Sequence, residues 1–587
     1  MGRTWSLKRP EDVISRPLPA RLSKSPDISF FPRIHEQPVK REFPRRSMTG
    51  SSLSNSQKPI KYGTGKGAGI ELVPQPSDDP EDPLNWPLWR KHLNLMSLLV
   101  MVGLVGGMKT AFIPTANSLS KQYRVSHTSI AALTAAPLMV SAMTGMISST
   151  VVKCRGKRPV YLMSALVLFI GTIWNSMAGD NYGSCLGSRI FQGLGWGAFD
   201  VLVNSSIQDT YFEHERNLPV TIYNILTITT TWGSPLLGGL VSKNANSFTN
   251  QFWVISCFYL LALPLLAFAA PETTFDRSRA AITPLPIPGL DAWRPWRLRH
   301  RVSKTSILEY LRQMKPLSFK APITLRMILQ APRALIAPTT CLLFILTFIP
   351  FGALWGLTTS ISALTAPAPL SLDFALTGVM MTGPWVIASL CVGGFSFYRG
   401  LYERFTRRVS CLIISTGSVL VLIGLLSYGL GVHNFMTSRP SPSNPIFSPV
   451  SGEQVSLPLL SVQLGILAGG SYILDTTTRP FVVRSASFTS CSISVAQRSI
   501  IDMQSCVIIL RNLAAGIFVL AMPNAVTIYG GLKTAVIGLA TTQFVITVAM
   551  MTIWWLYDES IWRADGMIMG LVDAGLLKQS DSFFEAD

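Results

Sequence analysis

Apolar positions in this chain gather into runs of roughly 20 residues, separated by short polar or basic stretches. A helix of that length reaches across a hydrocarbon layer about 30 Å thick, so each run reads as a membrane-spanning helix. Twelve are predicted, near residues 92–113, 128–152, 160–179, 183–207, 220–241 and 252–270, then 335–360, 374–398, 409–432, 457–478, 499–522 and 534–557. The fourth, fifth, seventh and tenth are interrupted by Gly, Pro or charge. One long polar break, 271–334, divides the runs six and six, and each half carries a basic loop between its second and third runs, "KCRGKRP" and "YRGLYERFTRR". That repeat is the trace of an internal duplication. The pattern predicts an all-α membrane protein of twelve transmembrane helices in two pseudo-symmetric six-helix halves, an arrangement suited to rocking about a midplane site. The expected division is a polar, disordered N-terminal tail (1–90), a first half (91–270), a central linker (271–334), a second half (335–557) and a C-terminal tail (558–587). In the linker, "SILEYLRQM" and "ITLRMILQ" are basic amphipathic runs that either lie on the inner leaflet or pack beneath the bundle.

Composition supports the class: 48% of residues are hydrophobic and 14% charged, with a mean hydropathy of +0.36. The net charge of +19 would fit nucleic acid, but it is one-sided. Lys153, Arg155, Lys157 and Arg158, then Arg399, Arg404, Arg407 and Arg408, lie on the side of the arginine-rich break. By the positive-inside rule both termini and that break are cytoplasmic, and no nucleic-acid partner is needed. The first 90 residues lack the apolar core of a signal peptide, so the first run is expected to direct insertion. The eight cysteines are scattered and imply neither a disulfide framework nor a zinc site. "GTGKGAG" fails as a phosphate loop because Gly67 follows Lys66. With no nucleophile–base pair and six dispersed histidines, an enzyme is not expected, and neither is a cofactor.

The charges inside apolar runs are the candidate chemistry, since a charge at mid-bilayer is unfavourable by about 2.5–3.5 kcal/mol and is normally functional. In "SRIFQGLGWGAFDVLVNSS", Arg189 and Asp200 share a helix face but lie about 16 Å apart, too far to pair. Gln192, Gly193 and Trp196 share that face, which is expected to line a wet cavity. Asp200 then either exchanges a proton or bonds a basic residue and serves packing. Asp475 and Arg511 are the second-half candidates, with Asp475 paired either to Arg511 or to Arg479 one turn on. Lys109 is expected to reach the headgroups. Gln192, Trp196, Asn204 and Tyr472 are the candidate substrate contacts. Gly233, Pro235, Gly238 and Gly239 are expected to form a tight seam, and Lys157 or Arg158 to meet Asp209 in a salt bridge that breaks as the halves rock.

These motifs resemble the major facilitator superfamily, in its fungal branch of drug:proton antiporters and polyamine or cation transporters. "DDPEDPLNWPLWRKHLNL" is similar to the branch's entry to the first helix. Arg189, Gln192, Gly193, Gly195 and Gly197 match RxxQGxGxG, "DTYFEHERNLPVTIYN" resembles the fourth-to-fifth loop, and "WGSPLLGG" resembles the antiporter motif GPxxGG with Ser234 in place of Gly. In the GxxxDRxGRR loop, Ser149, Lys153 and Cys154 stand where Gly, Asp and Arg are usual, leaving Gly156, Lys157 and Arg158. The resemblance implies a proton-coupled exporter of small organic compounds or cations, monomeric in the bilayer of the plasma membrane or vacuole. In it Arg189, Asp200, Asp475 and Arg511 would serve proton coupling. Uptake of a polyamine or other nutrient cation, and a non-transporting nutrient sensor, are the alternatives.

Overall fold

The computed structural model describes residues 82–245, 249–275, 325–365, 372–397, 406–437, 456–489, 493–527 and 531–570, with isolated positions at 61–63, 72–77, 79, 277, 310, 314 and 319. Among them each expected run is helical over most of its length, three of them across two consecutive helices. The first half holds α1 (Leu88–Lys109), the short α2 (Ala116–Tyr123), α3 (His127–Arg155), α4 (Lys157–Ser176), α5 (Tyr182–Thr210), α6 (Asn217–Ala245) and α7 (Thr249–Ala269). After α8 (Leu325–Ile336), the second half holds α9 (Pro338–Thr359), the short α10 (Ile361–Thr365), α11 (Phe374–Val379) and α12 (Thr382–Phe397). It continues with α13 (Arg407–Thr437), α14 (Leu457–Thr476), α15 (Thr478–Thr489), α16 (Ile493–Thr527) and α17 (Gly531–Met569).

Hydrocarbon leaves the backbone no water to bond, so helices satisfy it internally and capping side chains finish the ends. Ser126 begins α3 by accepting from Ser129 N, and Asn181 begins α5 by accepting from Ser184 N. Ten spans among the described residues are long and apolar enough to cross a bilayer. The two outside that set are α5, with its charged glycine-rich stretch, and α6, with its threonines and glycines. Leucines such as Leu260 and Leu261 project outward, as an apolar solvent allows.

Helix pairing repeats between the halves. In the first, α3 and α4 pack on α5, α4 on α7, and α1 on α6 and α7. In the second, α12 and α13 pack on α14, α13 on α17, and α9 on α16 and α17. The halves meet along two equivalent seams, α3 against α16 and α6 against α11 and α12.

Three boundaries differ from expectation. The last helix does not stop at 557 but bends at Tyr557 (φ −118°, ψ 16°) and runs on to Met569. The linker region contributes α8 from Leu325, and Tyr310 of the first amphipathic run packs under the bundle, donating to Phe268 O at 2.8 Å and lying edge-on to Trp89. At the N-terminus, Lys61 and residues 72–76 bond to each other, and Val73 O accepts from Glu213 N at 2.9 Å, so part of the stretch assigned to a tail is docked on the bundle. The remainder of the tails, Lys66 and most of "SILEYLRQM" lie outside the described residues.

Close helix approach depends on glycine. At Gly424 of α13 a methyl group would overlap the Leu467 backbone of α14, whereas at Gly394 of α12 it would meet nothing within 4 Å. Gly424→Val should therefore cost about 1–3 kcal/mol through forced separation of the helices. Melting of the purified protein in detergent should fall by several degrees for Gly424→Val and stay unchanged for Gly394→Ala.

Candidate functional site

A cavity of about 890 Å³ lies between the halves, walled by α1, α5 and α6 on one side and by α9, α12, α14 and α16 on the other. It opens at the end of the bundle that carries the α5–α6 loop, where Lys61, Tyr62, Glu213 and Glu215 form its rim. Burial in that loop raises the Glu213 pKa. It holds Arg216 down to about 10, with the Arg479 charge adding to the effect.

Asp200 faces this cavity from α5. Its Oδ1 lies 2.6 Å from Lys109 Nζ, and its Oδ2 accepts from Asn512 Nδ2 at 3.0 Å. Lys109 therefore does not extend to the headgroups: it is 8% exposed and turned inward, because an oppositely charged partner on the adjacent helix removes the reason to snorkel. The Asn512 contact joins the first half to the second. In the second half, Asp475 forms an ion pair with Arg511, whose guanidinium lies 4.3 Å from the Phe351 ring centroid. The interhelical partner is thus present, and Thr478 also reaches Asp475. Tyr472 lines the cavity and accepts from Trp232 Nε1 at 3.0 Å. Asn204 lines it as well and donates to Gln504 across the halves at 3.2 Å.

Gln192 and Trp196 are not cavity residues, which corrects their assignment as substrate contacts. Both are fully buried with Arg189 among α1, α3, α4 and α5. Arg189 donates to Leu133 O at 2.9 Å, Met108 O at 3.0 Å and Gln192 Oε1 at 2.8 Å, and it stacks on Trp196 at 5.0 Å. Gln192 Nε2 donates to Gly171 O at 2.8 Å. The helix face is shared with Asp200 as expected, but at the level of Arg189 the backbones of α1 and α3 close over it.

At the open end, Lys157 Nζ lies 2.5 Å from Asp209 Oδ2. Arg158 does not meet Asp209. It turns the other way, donating to Ala270 O at 2.7 Å and Ala267 O at 2.9 Å. Gly156 permits the tight α3–α4 corner with φ +86°, and Glu272 covers it, accepting from Lys157 N at 2.9 Å and Arg158 N at 3.0 Å as an anion at a helix N-terminus. On the α6 seam, Gly239 lies against Phe374 O and Gly378 against Pro235 O, while Gly233 faces Trp385. Gly238 faces Gln251 of its own half.

Sequence reasoning did not single out Asn512, Gln504 or Asp502. Asp502 lies 2.8 Å from Lys153, tying α16 to α3 across the halves. The rule applied to Asp200, that a polar residue inside an apolar run needs a partner, would have found all three in "IIDMQSCVIILRN".

The sequence profile described as Major Facilitator Superfamily matches residues 98–441. Protein HOL1 of Saccharomyces cerevisiae is 27% identical over 223 residues, 37% of this chain and 37% of that protein. Polyamine transporter 3 of the same yeast is 27% identical over 206 residues, 35% of this chain and 32% of that protein. The matched stretches thus span about a third of those relatives' length. The crystal structure of the human organic anion transporter MFSD10 aligns over 78% of this chain and 99% of its own with 13% identity and a TM-score of 0.45. With its profile matching residues 98–441 of 587, this chain belongs to the Major Facilitator Superfamily.

Proposed function

We propose that this protein is a proton-coupled secondary active transporter that exports small organic solutes by alternating access. The observation that carries the reading is the position of Asp200, a carboxylate on the cavity wall held at once by Lys109 of its own half and Asn512 of the other. Ionised, it accepts from both groups. Protonated, it no longer attracts the Lys109 charge, and the bond from Asn512 weakens because its acceptor is neutral. One proton thus changes both the charge in the cavity and a tie between the halves, which is what coupling a gradient to rocking requires.

Arg189 acts at one remove. By holding the Met108 carbonyl it positions the adjacent Lys109 against Asp200. Asp475 and Arg511 form the equivalent pair in the second half. The open end carries Lys153, Lys157 and Arg158, which by the positive-inside rule makes it cytoplasmic and the cavity inward-facing. Lys157–Asp209 sits there as a gate component, with Arg158 and Glu272 fixing the corner from which Lys157 reaches. Gly233, Pro235 and Gly239 give the opposite seam the close fit that resists leakage. Export is supported by the similarity of "WGSPLLGG" to the antiporter motif, and organic solutes by relatives such as the polyamine transporter.

Two measurements test this reading. In inside-out vesicles with an imposed proton gradient, Asp200→Asn should lower gradient-driven solute accumulation at least ~10-fold, equivalent to about 1.4 kcal/mol, at unchanged folded yield. Accumulation equal to wild type would remove Asp200 from coupling. For the gate, Lys157→Asp and Asp209→Lys should each slow transport several-fold and the double variant should recover most of it; a double variant as slow as the worse single one would exclude a gating bond.

A further inference from the structure

We infer that the solute accepted by this cavity is dipolar: a small compound carrying both an ammonium and a carboxylate, of the amino-acid or short-peptide class. The inference rests on the transport reading above and narrows it to a substrate chemistry.

The starting observation is charge balance. Among the described residues, the cavity and its rim present Lys61, Lys109, Arg479 and Arg511 against Asp200, Glu213, Glu215 and Asp475, four of each sign. In the deep part the balance is local as well as total, because Lys109 is paired with Asp200 and Arg511 with Asp475. A cavity built for a polycation would present carboxylates in excess, and one built for an anion would present bases in excess. A solute with a single charge must open one of these pairs and leave its other member without a counter-ion on the cavity wall, which is unfavourable. A dipolar solute avoids that cost. Its ammonium takes the place of the base on a carboxylate, its carboxylate takes the freed base, and every charge stays compensated throughout.

Geometry favours the second-half pair for this exchange. Asp200 has both oxygens engaged, by Lys109 and by Asn512. The Asp475 side chain keeps 32% of its surface exposed against 12% for Asp200, so the Asp475–Arg511 pair presents the more open edge to the cavity. Arg511 and Asn512 are consecutive on α16, which places the two pairs around a single helical turn. A solute bound at Asp475–Arg511 therefore sits beside the group that bridges Asp200 to the second half. The wall next to it is aromatic, formed by Phe351, Trp355 and Tyr472, and accepts an apolar side chain on the solute.

The test is equilibrium binding to the purified full-length protein in nanodiscs, without a gradient, so that it is independent of transport. The probes are phenylalanine and phenylalanyl-alanine, which are dipolar; phenylalanine methyl ester, with only the ammonium; N-acetylphenylalanine, with only the carboxylate; and spermidine, a polycation. The dipolar probes should bind the wild type at least ~10-fold more tightly than the others. Asp475→Asn leaves Arg511 uncompensated and should shift preference toward N-acetylphenylalanine. Arg511→Gln leaves Asp475 uncompensated and should shift it toward the methyl ester. Such an inversion of selectivity is not produced by a merely structural defect, which would weaken all probes together. Tighter wild-type binding of spermidine, the ester or the N-acetyl compound, absence of binding by both dipolar probes, or equal weakening of all probes in both variants would overturn the inference. If the dipolar probes bind but none moves across proteoliposomes under a proton gradient, the transport reading fails while the assignment of the ligand class stands.

Discussion

A charge placed within hydrocarbon must be compensated by protein, and here that requirement organises the interior. Asp200 is compensated by Lys109 and shared with Asn512, so one carboxylate links α1, α5 and α16 and spans both halves. Asp475 is compensated by Arg511 in the second half. The two pairs bring opposite charges to the cavity wall without a net charge of either sign, and they leave the space between them open to a solute. Arg189 meets the same requirement differently: wholly buried and without a carboxylate among the bonds described above, it is satisfied by carbonyls from α1 and α3 and by Gln192.

The halves are related by a repeated set of helix pairs, and their two seams are built differently. The α6 seam is a close backbone contact, where Gly239 and Gly378 each lie against a carbonyl region of the other half. The α3 seam carries charge, with Lys153 of α3 on Asp502 of α16. Relative to the family loop pattern, Lys153 stands where an Asp is usual, and the structure compensates by supplying the acidic partner from the other half. Both seams use short-range interactions that are lost over small displacements.

The open end shows how local chemistry sets a larger arrangement. Gly156 allows a turn that other residues adopt rarely, and Glu272 is thereby brought to the α4 N-terminus. That corner sends Arg158 to the carbonyls at the end of α7 and leaves Lys157 for Asp209. Adjacent basic residues in one motif thus have different roles, a distinction of about 100° around a helix that the order of residues does not reveal without the position of the neighbouring helices.

The sequence by itself determined the membrane class, the helical runs, their division into halves and the family. Each of these depends on run length and local pattern, which solvent preference and backbone hydrogen bonding translate directly into helices. It also drew attention to Arg189, Asp200, Asp475 and Arg511, which are conspicuous in apolar surroundings. Only the tertiary structure decided where they are placed and what they touch. Asp200 and Asn204 reach the cavity while Gln192 and Trp196, on the same helix, do not, because what a helix face meets depends on how far along it the neighbouring helices close. Lys109 turns inward, since its choice between headgroup and carboxylate is settled by the distance to α5. Asn512, Gln504 and Asp502 act across the halves, and their partners lie some 300 residues or more away in the chain, beyond the reach of any local pattern.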